Sequence, residues 1–265
     1  MPYILSAFSD EAAADFREQM RICADNSIKW IEMRGVNGKN VSELSIKEVK
    51  DIKKQMDEQG FRVSSIGSPY GKINIEEDFG QHFEKFKRSV EAAFILGTNK
   101  MRIFSFYNTP FDTVIKRLTL FLDNAGGIQL CHENEANIYG ESARNCKELY
   151  DIFGGRLKLV FDPANFVIAG EDIGTAYELL KDGVEYFHIK DYSLEQKLIV
   201  PSGYGDGKIE WLINNNDVSE RNVFLSVEPH IKCFNTAVLA LKTILCANGF
   251  TQSKDMEYGY GVWQK

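Results

Sequence analysis

Four side chains that can bind a hard cation recur through the second half of the chain. They are Glu133 in LCHENE, Asp162 in VFDPAN, His188 in YFHIKD and Glu228 in LSVEPH. Each stands at the C-terminal end of a short run of β-forming residues. Three carboxylates with one imidazole suit Mn²⁺, Mg²⁺, Co²⁺ or Zn²⁺, and do not suit Cu(I) or an iron–sulfur cluster. Taken singly, each residue also reads as a strand-end cap or half of a surface ion pair. Taken together, on successive strands and at one pleat parity, they read as the ligands of one divalent metal ion.

The elements that would have to position them are short strands alternating with amphipathic helices from end to end. Strand patterns cover 3–8, 29–33, 62–66, 100–104, 127–132, 158–161, 185–189 and 222–227. Between them, Phe79, Phe83, Phe86, Val90 and Ala93 are spaced by four, three, four and three, and Phe16, Met20, Cys23 and Ala24 repeat the device. Such spacing puts one apolar stripe on each helix. Eight strands, most followed by a helix, predict a parallel sheet with helices outside it. With no Pro/Ser-rich linker or composition shift, residues 1–265 are expected to form a single domain.

An open doubly wound sheet would show continuous apolar strands, because both of its faces are covered. Here the strands alternate. Val223, Leu225 and Val227 interleave with Phe224, Ser226 and Glu228, and Ile128 and Leu130 with Gln129, Cys131 and Glu133. One parity suits a helix layer; the other is mixed and ends on an acid, as in a barrel lumen that grows polar toward one mouth. No GxGxxG opens the first strand-to-helix turn, which weighs against a dinucleotide fold. The expected fold is an α/β, single (β/α)8 TIM barrel, with the four ligands on the C-terminal face where such barrels carry their sites.

The series HENE, DPANF, HIKD and VEP, in that order, resembles the xylose isomerase-like barrels, or sugar phosphate isomerase/epimerase family, of the AP endonuclease family 2 superfamily. SDE near the start, WIEMRGVNGKNV after the second strand and GYGDGKIEW extend the likeness over nearly the whole chain. The superfamily includes endonuclease IV, the tagatose/psicose 3-epimerases and inosose dehydratase. The resemblance implies that Glu133, Asp162, His188 and Glu228 hold the metal, and that Glu133 and Glu228 are catalytic. One glutamate would take a proton from the carbon beside a carbonyl and the other return it from the opposite face, through an enediolate that the metal stabilises. Asp162 and His188 would be purely structural ligands.

Some positions depart from that pattern. Many members carry a substrate-touching histidine three residues after the metal aspartate, where this chain has Asn165. Several have histidine two residues after the first glutamate, where this chain has Glu135. Asn165 can make one hydrogen bond to substrate but cannot shuttle a proton. Lys190 shares the parity of His188 and either reaches substrate or pairs with Asp191. Glu32 and Arg34 end the second strand, and either bind polar substrate groups or pair with each other across the mouth. His230, beyond the last strand, is a candidate for the rim. Gly203, Gly205 and Gly207 could bring backbone N–H groups to an anion, although turn chemistry alone also explains them. His132 has the helix-facing parity, and His82 sits in a helix far from the mouth.

Composition narrows the function classes. A formal charge of −7 and no concentrated basic and aromatic stretch argue against a nucleic-acid partner. With only His82, His132, His188 and His230, the chain lacks the ligands of a three-zinc repair nuclease. Five cysteines without a CxxC pair read as reduced thiols. The N-terminus carries no basic n-region, and no apolar run approaches the roughly 20 residues that span a bilayer. A cytoplasmic enzyme with no membrane partner is expected, with homo-oligomerisation open. The aromatic ending YGYGVWQK is expected to pack on the barrel or on a neighbouring subunit. The function expected first is a metal-dependent isomerase or epimerase of a small polyhydroxy carbonyl compound. A dehydratase of a keto-polyol or cyclic keto acid shares its first step, and a non-catalytic sugar-binding barrel would have little use for both glutamates.

Overall fold

The short β-forming runs become eight parallel strands. They are β1 (Tyr3–Ala7), β2 (Trp30–Met33), β3 (Arg62–Gly67), β4 (Lys100–Ile103), β5 (Gln129–Glu133), β6 (Leu157–Phe161), β7 (Val184–Ile189) and β8 (Val223–Val227). The computed structural model describes residues 2–217, 221–255 and 259–265. Each strand pairs with the next. β8 returns to β1 from Tyr3↔Val223 to Ala7↔Val227, which closes the ring. The result is a (β/α)8 barrel of the TIM type.

Nine α-helices stand among the described residues: α1 (Phe16–Asp25), α2 (Ile46–Glu58), α3 (Phe79–Leu96), α4 (Phe111–Asp123), α5 (Ala143–Phe153), α6 (Pro163–Ile168), α7 (Ile173–Leu180), α8 (Ile209–Asn215) and α9 (Phe234–Ala247). Local chemistry starts several of them. Asp15, Asp78 and Ser142 each accept the backbone N–H three residues on, and Ser45 with Glu48 forms a reciprocal capping box. Gly97 and Gly154, at φ of 78° and 55°, end α3 and α5 in the left-handed conformation glycine adopts without strain. The expected stripes face inward: Phe86, Val90 and Ala93 of α3 are buried, as are Phe16, Met20 and Cys23 of α1.

Strand alternation sorts the core into two layers. The main apolar cluster lies between strands and helices and takes Leu5, Val63, Leu130, Leu159, Phe187, Leu225 and their partners. A smaller one of Cys131, Val160 and Tyr186, with Phe224 against it, fills the barrel lumen. Cys23, Cys131 and Cys146 are buried free thiols; Cys233 and Cys246 are exposed. The C-terminal hairpin, β9 (Thr251–Asp255) and β10 (Gly259–Gln264), docks on the barrel by antiparallel pairing of Ile4 with Val262 and Tyr3 with Trp263. β1 meets β2 only at Ser6 and Ala7, so β10 occupies the other end of that strand's edge. Val262 and Trp263 are buried there, as the aromatic ending leads one to expect, while 256–258 lie outside the described residues. No helix among the described residues is long and apolar enough to cross a membrane.

Candidate metal centre

The C-terminal ends of β5 to β8 bring four acidic or imidazole groups to one point. Glu133 is the last residue of β5, and Asp162 follows β6. His188 is the fifth residue of β7, and Glu228 follows β8. One ligand atom from each lies within 4.8 Å of the others, and all four side chains are buried. His188 Nδ1 stands 3.0 Å from Glu133 Oε1 and 3.7 Å from Glu228 Oε2. Asp162 also caps α6, accepting the Asn165 N–H at 3.0 Å through Oδ1, which leaves Oδ2 to face the cluster. Asn134 locks the same turn by donating to the Asp162 carbonyl and accepting its N–H, both at 2.9 Å.

Two buried cations thread between these carboxylates. Arg102 of β4 reaches Glu133 Oε2 at 3.0 Å and donates to the Ser68 carbonyl at 3.2 Å. Lys190 stands 2.7 Å from Asp162 Oδ2 and 3.4 Å from Glu228 Oε2. On the rim, Arg34 is 2.7 Å from Glu228 Oε1 and also binds Asp10 and Glu11. His230, 44% exposed, completes that edge at 3.1 Å from Glu11 and 3.5 Å from Glu228.

These charges set the protonation of the site. Burial favours the neutral acid of Glu133, but His188 and Arg102 outweigh it and hold the group down to about 2. Burial is likewise outweighed at Glu228, where Lys190, His230 and His188 keep the carboxyl well below its usual range. At Asp162 burial wins over Lys190, with Glu133 and Glu228 adding to it, and the group rises to about 6. Burial works against a proton on His188, yet Glu133 and Glu32 raise it to about 10.

The residues fit a divalent cation on two grounds. His188 Nδ1 and Asp162 Oδ2 are buried without a hydrogen bond of acceptable geometry, although each lies at ion-pair distance from a neighbour. Inside the cluster four buried carboxylates, Glu32, Glu133, Asp162 and Glu228, face two buried permanent cations, Arg102 and Lys190, while Arg34 on the rim is shared among Glu228, Asp10 and Glu11. With His188 neutral, two negative charges are left over, the charge a divalent ion offsets. Without such an ion the cluster draws a proton onto His188, in keeping with the raised pKa.

Several sequence expectations need correction. Glu32 neither reaches the mouth nor pairs with Arg34. It is fully buried behind His188, where its carboxylate accepts from Tyr186 Oη at 2.8 Å and Ser226 Oγ at 2.6 Å and lies 3.2 Å from His188 Nε2. Lys190 does not pair with Asp191; the carboxylates of Asp162 and Glu228 hold it instead. Asp191 is itself the anion of the glycine loop, accepting the N–H groups of Gly203, Gly205 and Gly207 at 2.8, 3.1 and 2.8 Å. Those amides are spent on the protein's own carboxylate. Asn165 turns its amide to the Asn134 carbonyl at 2.9 Å, so that donor supports the ligand turn. Arg34 forms its ion pairs across the mouth with Asp10, Glu11 and Glu228, and His230 stands on the rim. His132 packs outside the cluster, buried against Ser105 Oγ at 2.9 Å, and His82 in α3 accepts the Gly71 N–H. Arg102 escaped the sequence reading. Its signal was available: a charged residue two before Phe104 on a strand that is otherwise apolar from Met101 to Phe104.

A family model described as a xylose isomerase-like TIM barrel matches residues 20–230. No curated protein sequence is significantly similar. Among solved structures, the fold is similar to the probable 3-DHS dehydratase AsbF involved in petrobactin synthesis from Bacillus anthracis. That match has a TM-score of 0.74 and 17% identity, covering 94% of this chain and 99% of that one. It is similar too to a xylose isomerase-like TIM barrel protein from Mycobacterium smegmatis in complex with magnesium, with a TM-score of 0.74, 17% identity and coverages of 92% and 95%. A D-tagatose 3-epimerase-like protein matches with a TM-score of 0.72 and 18% identity over 92% of this chain and 97% of its own.

Proposed function

Because the chain belongs to the xylose isomerase-like TIM barrels, we propose that it is a divalent-metal-dependent isomerase or epimerase of a small polyhydroxy carbonyl compound. The observation that carries this reading is the pair Glu133 and Glu228, both buried and both kept ionised, with His188 Nδ1 between them. An ion held by Glu133, Asp162, His188 and Glu228 would supply Lewis acidity to a carbonyl and its neighbouring hydroxyl, lowering the barrier to loss of the adjacent proton. One glutamate of the pair takes that proton and the other delivers one from the far side. Arg102 orients Glu133, and Arg34 orients Glu228. Burial keeps bulk water from the reacting carbon, and the N–H donors of Lys190, Arg34 and His230 suit the hydroxyl oxygens of a polyol. The amides at 203, 205 and 207 are already engaged by Asp191, which favours an unphosphorylated substrate.

Deuterium exchange tests the proposal without knowledge of the product. Protein loaded with Mn²⁺ is incubated in D₂O with a panel of ketoses and keto-polyols, and label beside the carbonyl is followed by NMR. Wild type is expected to incorporate deuterium into at least one of them, and Glu133→Gln and Glu228→Gln to lose about 100-fold or more of that rate. Loss of water from the labelled compound would assign a dehydratase instead. Exchange by both variants at the wild-type rate would end the two-glutamate mechanism.

A further inference from the structure

Glu32 lies too deep to touch a substrate, and its contacts give it a different task. Fully buried at the end of β2, it is held on three sides. Tyr186 donates to Oε1 at 2.8 Å, and Ser226 donates to Oε2 at 2.6 Å. His188 Nε2 sits 3.2 Å from each oxygen. Each oxygen accepts a hydroxyl proton and also faces Nε2, so the hydrogen shared between carboxylate and ring sits on the imidazole, by type the stronger base. The Nε2 facing it must therefore be the nitrogen that carries hydrogen.

That assignment decides which nitrogen remains. Nδ1 is the atom turned toward Glu133 Oε1 and Glu228 Oε2, and it makes no hydrogen bond of its own. The ring cannot readily turn over to exchange the two. Phe8 packs edge-on at 5.0 Å between centroids, and the Tyr186 ring lies at 5.6 Å on another side. The pairing of β2 with β3 shifts register at Ile31/Glu32, which sets Glu32 beside Ser65, and Ser65 Oγ lies 3.2 Å from the Tyr186 hydroxyl. Backbone, serine and tyrosine thus converge on one carboxylate.

We infer that Glu32 is a positioning residue that fixes the proton of His188 on Nε2, so that His188 ligates the divalent ion through Nδ1. The inference rests on the metal reading above, but it can be tested apart from it. In uniformly ¹⁵N-labelled wild type loaded with Zn²⁺, long-range ¹H–¹⁵N correlations should show a slowly exchanging proton on His188 Nε2 and a metal-shifted Nδ1. Glu32→Gln can turn an amide N–H toward Nε2 and so favour the opposite tautomer. Its Zn²⁺ dissociation constant should weaken about 10- to 100-fold, the usual effect of losing the group that orients a metal-binding histidine. Tyr186→Phe removes one donor to Glu32 but leaves the contact with His188, so its Zn²⁺ affinity should stay close to wild type. A proton on Nδ1 with Nε2 bound to zinc overturns the inference, as does unchanged zinc affinity in Glu32→Gln. Should that variant fail to fold, the wild-type spectrum decides alone. Should wild type bind no zinc, the proposed function falls, and the metal-free protein still tests Glu32. There the Nε2 proton should exchange more slowly in wild type than in Glu32→Gln, and equal rates refute the role of Glu32.

Discussion

Replacing Arg102 by methionine tests the charge balance of the site directly. The guanidinium lies 3.0 Å from Glu133 Oε2, donates to the Ser68 carbonyl at 3.2 Å, and stacks 4.7 Å above the Phe104 ring. Both partners of the ion pair are almost wholly buried, with 6% and 2% of their side chains exposed. Methionine keeps an unbranched apolar stem in that space and removes the charge. Deleting one member of a buried pair costs about 3–5 kcal/mol, because the other is left without compensation. For a chain of 265 residues, an unfolding entropy of about 2.1 cal/mol/K per residue converts that cost into a melting temperature lower by about 5–9 °C. A divalent ion should recover more in the variant than in wild type, since the buried excess of negative charge grows from two to three. In wild type, metal at about 100 times its Kd contributes about 2.7 kcal/mol, or about 5 °C. Calorimetric melting with and without Mn²⁺ gives both numbers. An unchanged melting temperature without metal would show that the ion pair carries no net weight, and a smaller metal-induced rise than in wild type would refute the charge count.

Three further outcomes follow from particular contacts. Asp191→Asn replaces an acceptor shared by three glycine N–H groups with one that has a single oxygen, so the amides of Gly203, Gly205 and Gly207 should exchange with deuterium markedly faster than in wild type; protection equal to wild type would contradict it. Gly140→Ala would set a Cβ 2.7 Å from His132 Nε2 and 3.2 Å from Ser105 Oγ, an overpacking worth about 1–3 kcal/mol in urea unfolding. Burial lowers His82 to about 4, with Glu77 opposing it, from an unfolded value near 6.5. The unfolded chain therefore takes up that proton first, and the stability that neutral His82 contributes is complete above pH 6.5 and lost as pH falls toward 4. The stability gap between wild type and His82→Gln should narrow over that window, and a constant gap would show that His82 does not titrate as described.

Much of the architecture is written in local pattern. Period-two alternation in 223–228 and period-3.6 stripes in α1 and α3 each need only neighbouring residues to be recognised, because a strand or helix exposes its buried face through its own geometry. The strand ranges agree with the structure to within two residues at either end, β5 starting at Gln129 where the pattern begins at 127. The end of a strand is also local information, which is why Glu133, Asp162 and Glu228 could be placed at one mouth from order alone.

What failed was partner choice. Glu32 and Arg34 are separated by one residue and share a parity, yet Glu32 lies deep under His188 while Arg34, two residues farther along the chain toward the mouth, reaches the rim. Lys190 and Asp191 are neighbours in sequence, and each found its counter-charge elsewhere: in Asp162 and Glu228, contributed by other strands, and in the amides of 203–207. An ion pair between adjacent residues needs both side chains on one face, and extended backbone sends them to opposite faces.

The sequence by itself thus determined the repeating elements, the parity of each strand and the four groups offered to a metal, because periodicity and strand ends are properties of short segments. Only the tertiary structure decided which cations sit among those carboxylates, which carboxylate stands behind His188 and which anion the glycine loop holds. Those choices depend on barrel closure and register, which bring residues as far apart as Glu32 and Ser226 to 2.6 Å, and buried charges take the partner that closure presents rather than the one nearest along the chain.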